Sequence, residues 1–287
     1  MTVQAPEFNV GEMVLHHTAD AYELDFYPIG HIEWHRWPDL HLGPLTVNLT
    51  PTKHVVFMAL AALLVFLTML LAGRSLRRQR AGETAPRGFA AAIEGMVLWV
   101  RNDIAIANIG HDGTKFAPLV MTLFFFILYA NILGLLPWGS AATGNLAVTG
   151  ALAIMVFLIV EISGFIKLGP RGYLGTIFPK VPGMGGAGGA AISIAMAPIE
   201  IIGKLVKPFA LAVRLFGNMT AGHFVILSLF GIVFLFGGLG VASWGIGIVT
   251  AALVTGIMLL ELFVAFLQAY VFALLTAVFI GLMQHEH

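Results

Sequence analysis

Two apolar segments near the end of the chain are too long to be upright membrane crossings. Residues 190–236 carry four charged side chains, Glu200, Lys204, Lys207 and Arg214, and residues 244–284 carry one, Glu261. As straight helices they would reach roughly 70 Å and 60 Å at about 1.5 Å per residue, against a hydrocarbon core about 30 Å thick. Each is either two short helices or one long, strongly tilted one. No cluster of turn residues divides either segment, although Pro198, Pro208 and Gly217 can bend the first. The strong turn, GGLGVASWG at 237–245, lies between them. Two long tilted helices forming a hairpin are the expected solution.

The rest of the chain agrees with a bilayer as solvent. Of its 287 residues 59% are hydrophobic and 10% charged, where soluble domains carry roughly 25% charged. Further crossings are expected at 54–72, 117–137 and 146–166, each near the ~20 residues that span the hydrocarbon. Basic residues cluster in GRSLRRQR after the first and recur as Lys167, Arg171 and Lys180 after the third. By the positive-inside rule these loops are cytoplasmic, which puts the N-terminus outside and, with five crossings, the C-terminus inside. Residues 1–53, with seven acidic side chains against Arg36 and Lys53, form an extracytoplasmic segment ahead of a membrane domain at 54–287. The start shows no basic stretch followed by a short apolar core, so the first apolar run is expected to serve as the insertion signal.

Residues 86–110 differ from the crossings. Phe89, Ile93, Met96, Val97, Val100 and Ile104 recur at steps of three and four, while Arg87, Glu94, Arg101 and Asp103 interrupt the run. That pattern predicts an amphipathic helix lying in the membrane plane, or else packed on protein. The fold class is thus an all-α integral membrane protein: five crossings, the last two a long tilted hairpin, and one in-plane helix.

Candidate functional residues are those a bilayer penalises. A charge at mid-membrane costs about 2.5–3.5 kcal/mol on insertion scales and normally faces a partner, a cavity or a bundle interior. Glu200, Lys204, Lys207, Leu211, Arg214 and Asn218 follow steps of three and four and form one helical stripe. Glu261 and Gln268, seven apart, share a face of the second helix. Folding the hairpin near residue 241 brings Arg214 level with Gln268, and His223 level with Glu261. Gln268 is expected to bond the guanidinium, and His223 to meet Glu261. A polar trail interrupted by one permanent cation reads as an ion path with a barrier. The plainer reading, an Arg214–Glu261 packing pair, needs two groups about 10 Å apart in level to meet.

PFALAVRLFGNMTAGH resembles the signature of the a subunit of the F-type ATP synthase membrane sector, and LQAYVFALLTAVFIGLMQHEH resembles the end of the same subunit. The likeness covers the layout of residues 45–287 and the detail of 195–285. It implies a stator that faces a ring of c subunits, each with a mid-membrane carboxylate, and that joins peripheral-stalk b subunits and the rest of the ATP synthase in a bacterial inner membrane. Arg214 matches the family's essential arginine. Asn218, His223, Glu261 and Gln268 match the outer proton half-channel, and Glu200 matches an acidic position near the cytoplasmic half-channel. In some members the acid and the histidine exchange places. Where some members carry an acid three positions after the asparagine matched by Asn131, this chain has Gly134.

Other readings are narrower. HIEWH at 31–35 is not the H-E-x-x-H arrangement of metalloproteases; His31, His35 and His41 suggest a zinc site at most, and no cofactor is expected. No G-x-x-x-x-G-K-[ST] occurs, so ATP chemistry belongs to partner subunits. Zero formal net charge gives no sign of a nucleic-acid partner, and the absence of cysteine excludes disulfides and thiol catalysis. The alternative is a stand-alone proton-coupled secondary transporter, although no internal repeat is visible.

Overall fold

In lipid a backbone must satisfy its own hydrogen bonds, so the apolar runs become helices. The structure, a computed structural model, describes residues 11, 19–26, 30–33, 35–43, 45–48, 50–80, 88–136, 139–179, 186–236 and 240–285. Among the described residues five helices are long and apolar enough to span a membrane. They are α1 (Lys53–Arg80), α3 (Gly113–Gly134), α4 (Leu146–Ile177), α5 (Gly186–Phe236) and α6 (Val241–His285). Between α1 and α3 lies α2 (Phe89–Trp99), which continues through a π-helical stretch, Val100–Ile106, and a last turn, Ala107–Ile109. The expected apolar stripe is helical, and of its residues only Phe89 is exposed, whereas Val97, Val100 and Ile104 are buried in protein. Trp99 stacks on Tyr270 and meets Phe124 edge-on.

The long segments are single helices, as expected, and Pro198 and Pro208 are accommodated inside α5. α1 runs on through the basic cluster to Arg80. The loop expected after residue 166 is also helical, to Ile177. The backbone breaks at Gly169, which adopts φ 67° and ψ 174°, and Pro170 follows. A positive φ suits glycine, and proline with its fixed φ starts the next short helix. Ahead of the helices, two hairpins form where no secondary structure was expected. β1 (Glu23–Phe26) pairs antiparallel with β2 (Gly30–Glu33), and β3 (Leu40–Leu42) with β4 (Leu45–Val47). The side chain of His31 lies outside the described residues, and with it the His31, His35 and His41 reading.

The chain divides into two compact units that interleave its segments. One comprises residues 1–62, 128–145 and 215–267; the other comprises 63–127, 146–214 and 268–287. In the first, Asn131 is fully buried, accepts a hydrogen bond from Thr143 Oγ1 at 2.6 Å and donates to the Ala265 carbonyl at 3.4 Å. These bonds fold the loop after α3 inward, and Ser140, Ala141, Ala142 and Thr143 are buried. Ala141, Met219 and Ala265 form a small core with Leu135. In the second unit Val100, Ile104, Val120, Phe124, Val156 and Ile280 are buried. Asp112 bridges Lys115 and Lys167, at 2.7 Å from each, and ties the start of α3 to α4.

Candidate proton-pathway residues

The first unit holds His223 and Glu261. The two are not hydrogen bonded to each other, contrary to the sequence expectation. His223 instead lies between two main-chain carbonyls: Nε2 is 2.9 Å from the Gly134 oxygen, and Nδ1 is 3.0 Å from the Met219 oxygen. A carbonyl only accepts, so each contact needs a proton on that nitrogen. Neutral imidazole donates to one carbonyl at a time, and imidazolium donates to both. Glu261 is 8% exposed, and among the described residues neither of its carboxyl oxygens has a hydrogen-bond partner. It occupies the space that a side chain at Gly222 would need: a Cβ there would lie 1.7 Å from Oε1. The hairpin therefore has the expected level, one residue before His223, but the histidine ring turns toward α3. Packing decided this, because the Gly134 carbonyl offers a satisfied bond that the sequence stripe does not reveal.

Gly134 has its own reason to be glycine. A Cβ there would stand 2.4 Å from the Ala141 Cβ and 2.8 Å from its Cα. The inward fold of the loop leaves no room for the acid that some members of the resembled family carry, and the position contributes its carbonyl instead. Asn218 is exposed, with no side-chain hydrogen bond among the described residues.

The second unit holds Arg214, Gln268 and Glu200. Gln268 is buried and level with Arg214, but Nε2 donates to the Arg214 main-chain carbonyl, at a long 3.4 Å, and not to the guanidinium. Arg214 is exposed, on a surface that also presents Phe209 and Val213, and it makes no ion pair among the described residues. Glu200, Lys204, Lys207 and Leu211 line one side of a cleft of about 90 Å³, with Glu161, Thr176 and Phe279 among the residues across it. Leu211 is one turn from Arg214.

Sequence reasoning missed Glu161. Tyr173 Oη donates to Glu161 Oε2, and Lys204 Nζ donates to the same oxygen at 3.2 Å. The signal was there, since Glu161 is the lone charge in LAVTGALAIMVFLIVEISGFI, and an intramembrane carboxylate is a functional candidate by default.

The family model for the ATP synthase A chain matches residues 49–281. The chain belongs to this family. It is 43% identical over 273 residues to ATP synthase subunit a 2 of Chlorobaculum tepidum, covering 95% of this chain and 72% of that protein. It is 42% identical over 284 residues to ATP synthase subunit a of Anaeromyxobacter dehalogenans, covering 95% and 70%. It is 45% identical over 248 residues to that of Myxococcus xanthus, covering 84% and 76%. The chain is a membrane-spanning, proton-translocating stator subunit of an ATP synthase. It is not the catalytic part: ATP chemistry lies in other subunits, which are its partners. A stand-alone transporter is not favoured.

Proposed function

We propose that Arg214 is the fixed cation past which a ring of c subunits turns, and that it separates two proton half-channels. The observation that carries this is the guanidinium, unpaired among the described residues, on an exposed apolar surface of α5. Left against lipid, such a charge is penalised; a passing carboxylate supplies its counter-ion. A protonated carboxyl that meets the cation is driven to ionise. Because the guanidinium does not lose its proton, it also stops protons from crossing directly between the channels.

Asn218, His223 and Glu261 serve the outer half-channel. The carboxyl of Glu261, without a hydrogen-bond partner among the described residues, and the two-sided imidazole of His223 supply exchangeable protons. Gln268 positions Arg214 through its main chain. Glu200 serves the cytoplasmic half-channel, and the cleft that ends a turn short of Arg214 is its aqueous route. The ring and the b subunits of the peripheral stalk are the direct neighbours, and the bacterial inner membrane is the location. The N-terminus and residues 1–53 lie outside, and the C-terminus lies in the cytoplasm.

The test is reconstitution of the whole complex with Arg214→Lys and Arg214→Ala. Both are expected to assemble and to make no ATP from a proton gradient, because an ammonium can lose its proton and lacks the planar fork. The alanine form is also expected to leak protons passively. Near-normal synthesis by Arg214→Lys would refute the mechanism.

A further inference from the structure

On the stripe of α5, Lys204 stands four residues after Glu200. On a helix this is the favourable order and spacing for a Glu–Lys ion pair. The structure does not use it: Glu200 makes no ion pair among the described residues. Lys204 turns across the cleft instead. Its Nζ donates to Glu161 Oε2 at 3.2 Å and to Thr176 Oγ1 at 2.8 Å, and sits 4.6 Å from the centre of the Tyr173 ring. The carboxylate, hydroxyl and ring face leave the ammonium surrounded. The cradle is built in advance. Tyr173 Oη donates to Glu161, and Thr176 Oγ1 donates to the Tyr173 carbonyl at 2.8 Å. Gly169 and Pro170 set up the short helix that carries both residues. The Lys204 and Glu161 side chains are only 14% and 15% exposed, so the pair is shielded from solvent competition. Lys207, the next cation on the stripe, lies 5.1 Å from the centre of the Phe279 ring.

We propose that Glu161, Tyr173 and Thr176 form a lysine trap that holds Lys204 off Glu200 and leaves the Glu200 carboxylate free to exchange protons. This rests on the reading of Glu200 as the acidic group of the cytoplasmic half-channel. A carboxylate bound by its own i+4 lysine accepts a proton less readily, because an opposite charge at hydrogen-bond distance favours the ionised form. Glu161 is a positioning residue here: it acts by occupying Lys204.

The experiment uses the complete ATP synthase in membrane vesicles, with ATP-driven proton pumping measured per assembled complex. Glu161→Gln releases the ammonium to Glu200 and is expected to slow pumping roughly tenfold. Lys204→Met removes the ammonium but leaves the shielded Glu161 carboxylate without its cation, so it is expected to lower the yield of assembled complex. The double variant Glu161→Gln/Lys204→Met is expected to recover most of the rate lost in Glu161→Gln, a rescue that a merely structural role for Glu161 would not give. Tyr173→Phe keeps the ring, loses the hydroxyl and should slow pumping less than Glu161→Gln. A double variant as slow as Glu161→Gln overturns the trap. Glu200→Gln separates the half-channel reading from the trap. If it pumps normally, the half-channel reading fails and the trap with it. If it is slow while Glu161→Gln pumps normally, only the trap fails.

Discussion

The Glu261 carboxyl is placed by an absence, the missing side chain of Gly222, and Gly222→Ala tests whether that placement matters. The added Cβ would lie 1.7 Å from Oε1 and 2.6 Å from Cδ, where real Cβ contacts do not fall below 3.0 Å. The oxygen must therefore withdraw by about 1.3 Å. The obstacle is the tip of a flexible side chain, so the helices need not part. The cost is a strained or changed rotamer, about 0.5–1.5 kcal/mol, partly offset by the better helix propensity of alanine, about 1 kcal/mol. The complex should assemble normally. Function should respond far more, because a misplacement of about 1 Å in a proton-transfer geometry can cost up to about a hundredfold in rate. The assay is gradient-driven ATP synthesis in vesicles, normalised to assembled complex, with Gly247→Ala as control because a Cβ there meets nothing within 4 Å. We expect at least about a tenfold loss for Gly222→Ala and none for the control. Full activity of Gly222→Ala would refute the view that the seat of Glu261 is functional.

Gly134→Ala drives a Cβ into Ala141 at 2.4 Å and should destabilise the protein by about 1–3 kcal/mol, read as a lower melting temperature in detergent; an unchanged melting temperature would contradict the close approach of Gly134 to Ala141. Hydrogen bonds from Lys115 and then Lys167 lower the Asp112 pKa from 3.8 to about 2. A lowered carboxylate pKa stabilises the fold above the unfolded value and ceases to do so as pH falls through the folded one. This contribution should therefore be complete above about pH 4 and fade between about pH 4 and 2. Asp112→Asn should flatten that part of the stability profile, and superimposable profiles would contradict it. For topology, single cysteines replacing Asp20 and Leu146 should react with an impermeant reagent added outside intact cells, whereas those replacing Arg77 and Gly175 should not. The opposite pattern would reject the assigned orientation. Leu146 is the useful probe of its loop because it is exposed, whereas Ala142 is buried.

The crossings were legible because lipid leaves few options: an apolar run of sufficient length must be a helix, and only the bend at Gly169 and the ends moved by several residues. The hairpin level was legible for the same reason. A fixed rise per residue and one strong turn put Gln268 at Arg214 and Glu261 beside Gly222, next to His223. The partners of those side chains were not legible. Periodicity assigns a residue to a helix face, but a side chain takes whichever donor or acceptor the packed neighbours bring within about 3 Å. His223 faces the Gly134 carbonyl because Asn131 and Thr143 fold a loop inward, and Lys204 crosses to Glu161 because Tyr173 and Thr176 stand beside it. None of these relations is local in sequence. The sequence by itself determined which charges enter the membrane and on which helices, since composition and helical rise fix that. Only the tertiary structure decided which of them are paired and which are left free, because hydrogen bonds act over a few ångströms between segments that the sequence keeps far apart.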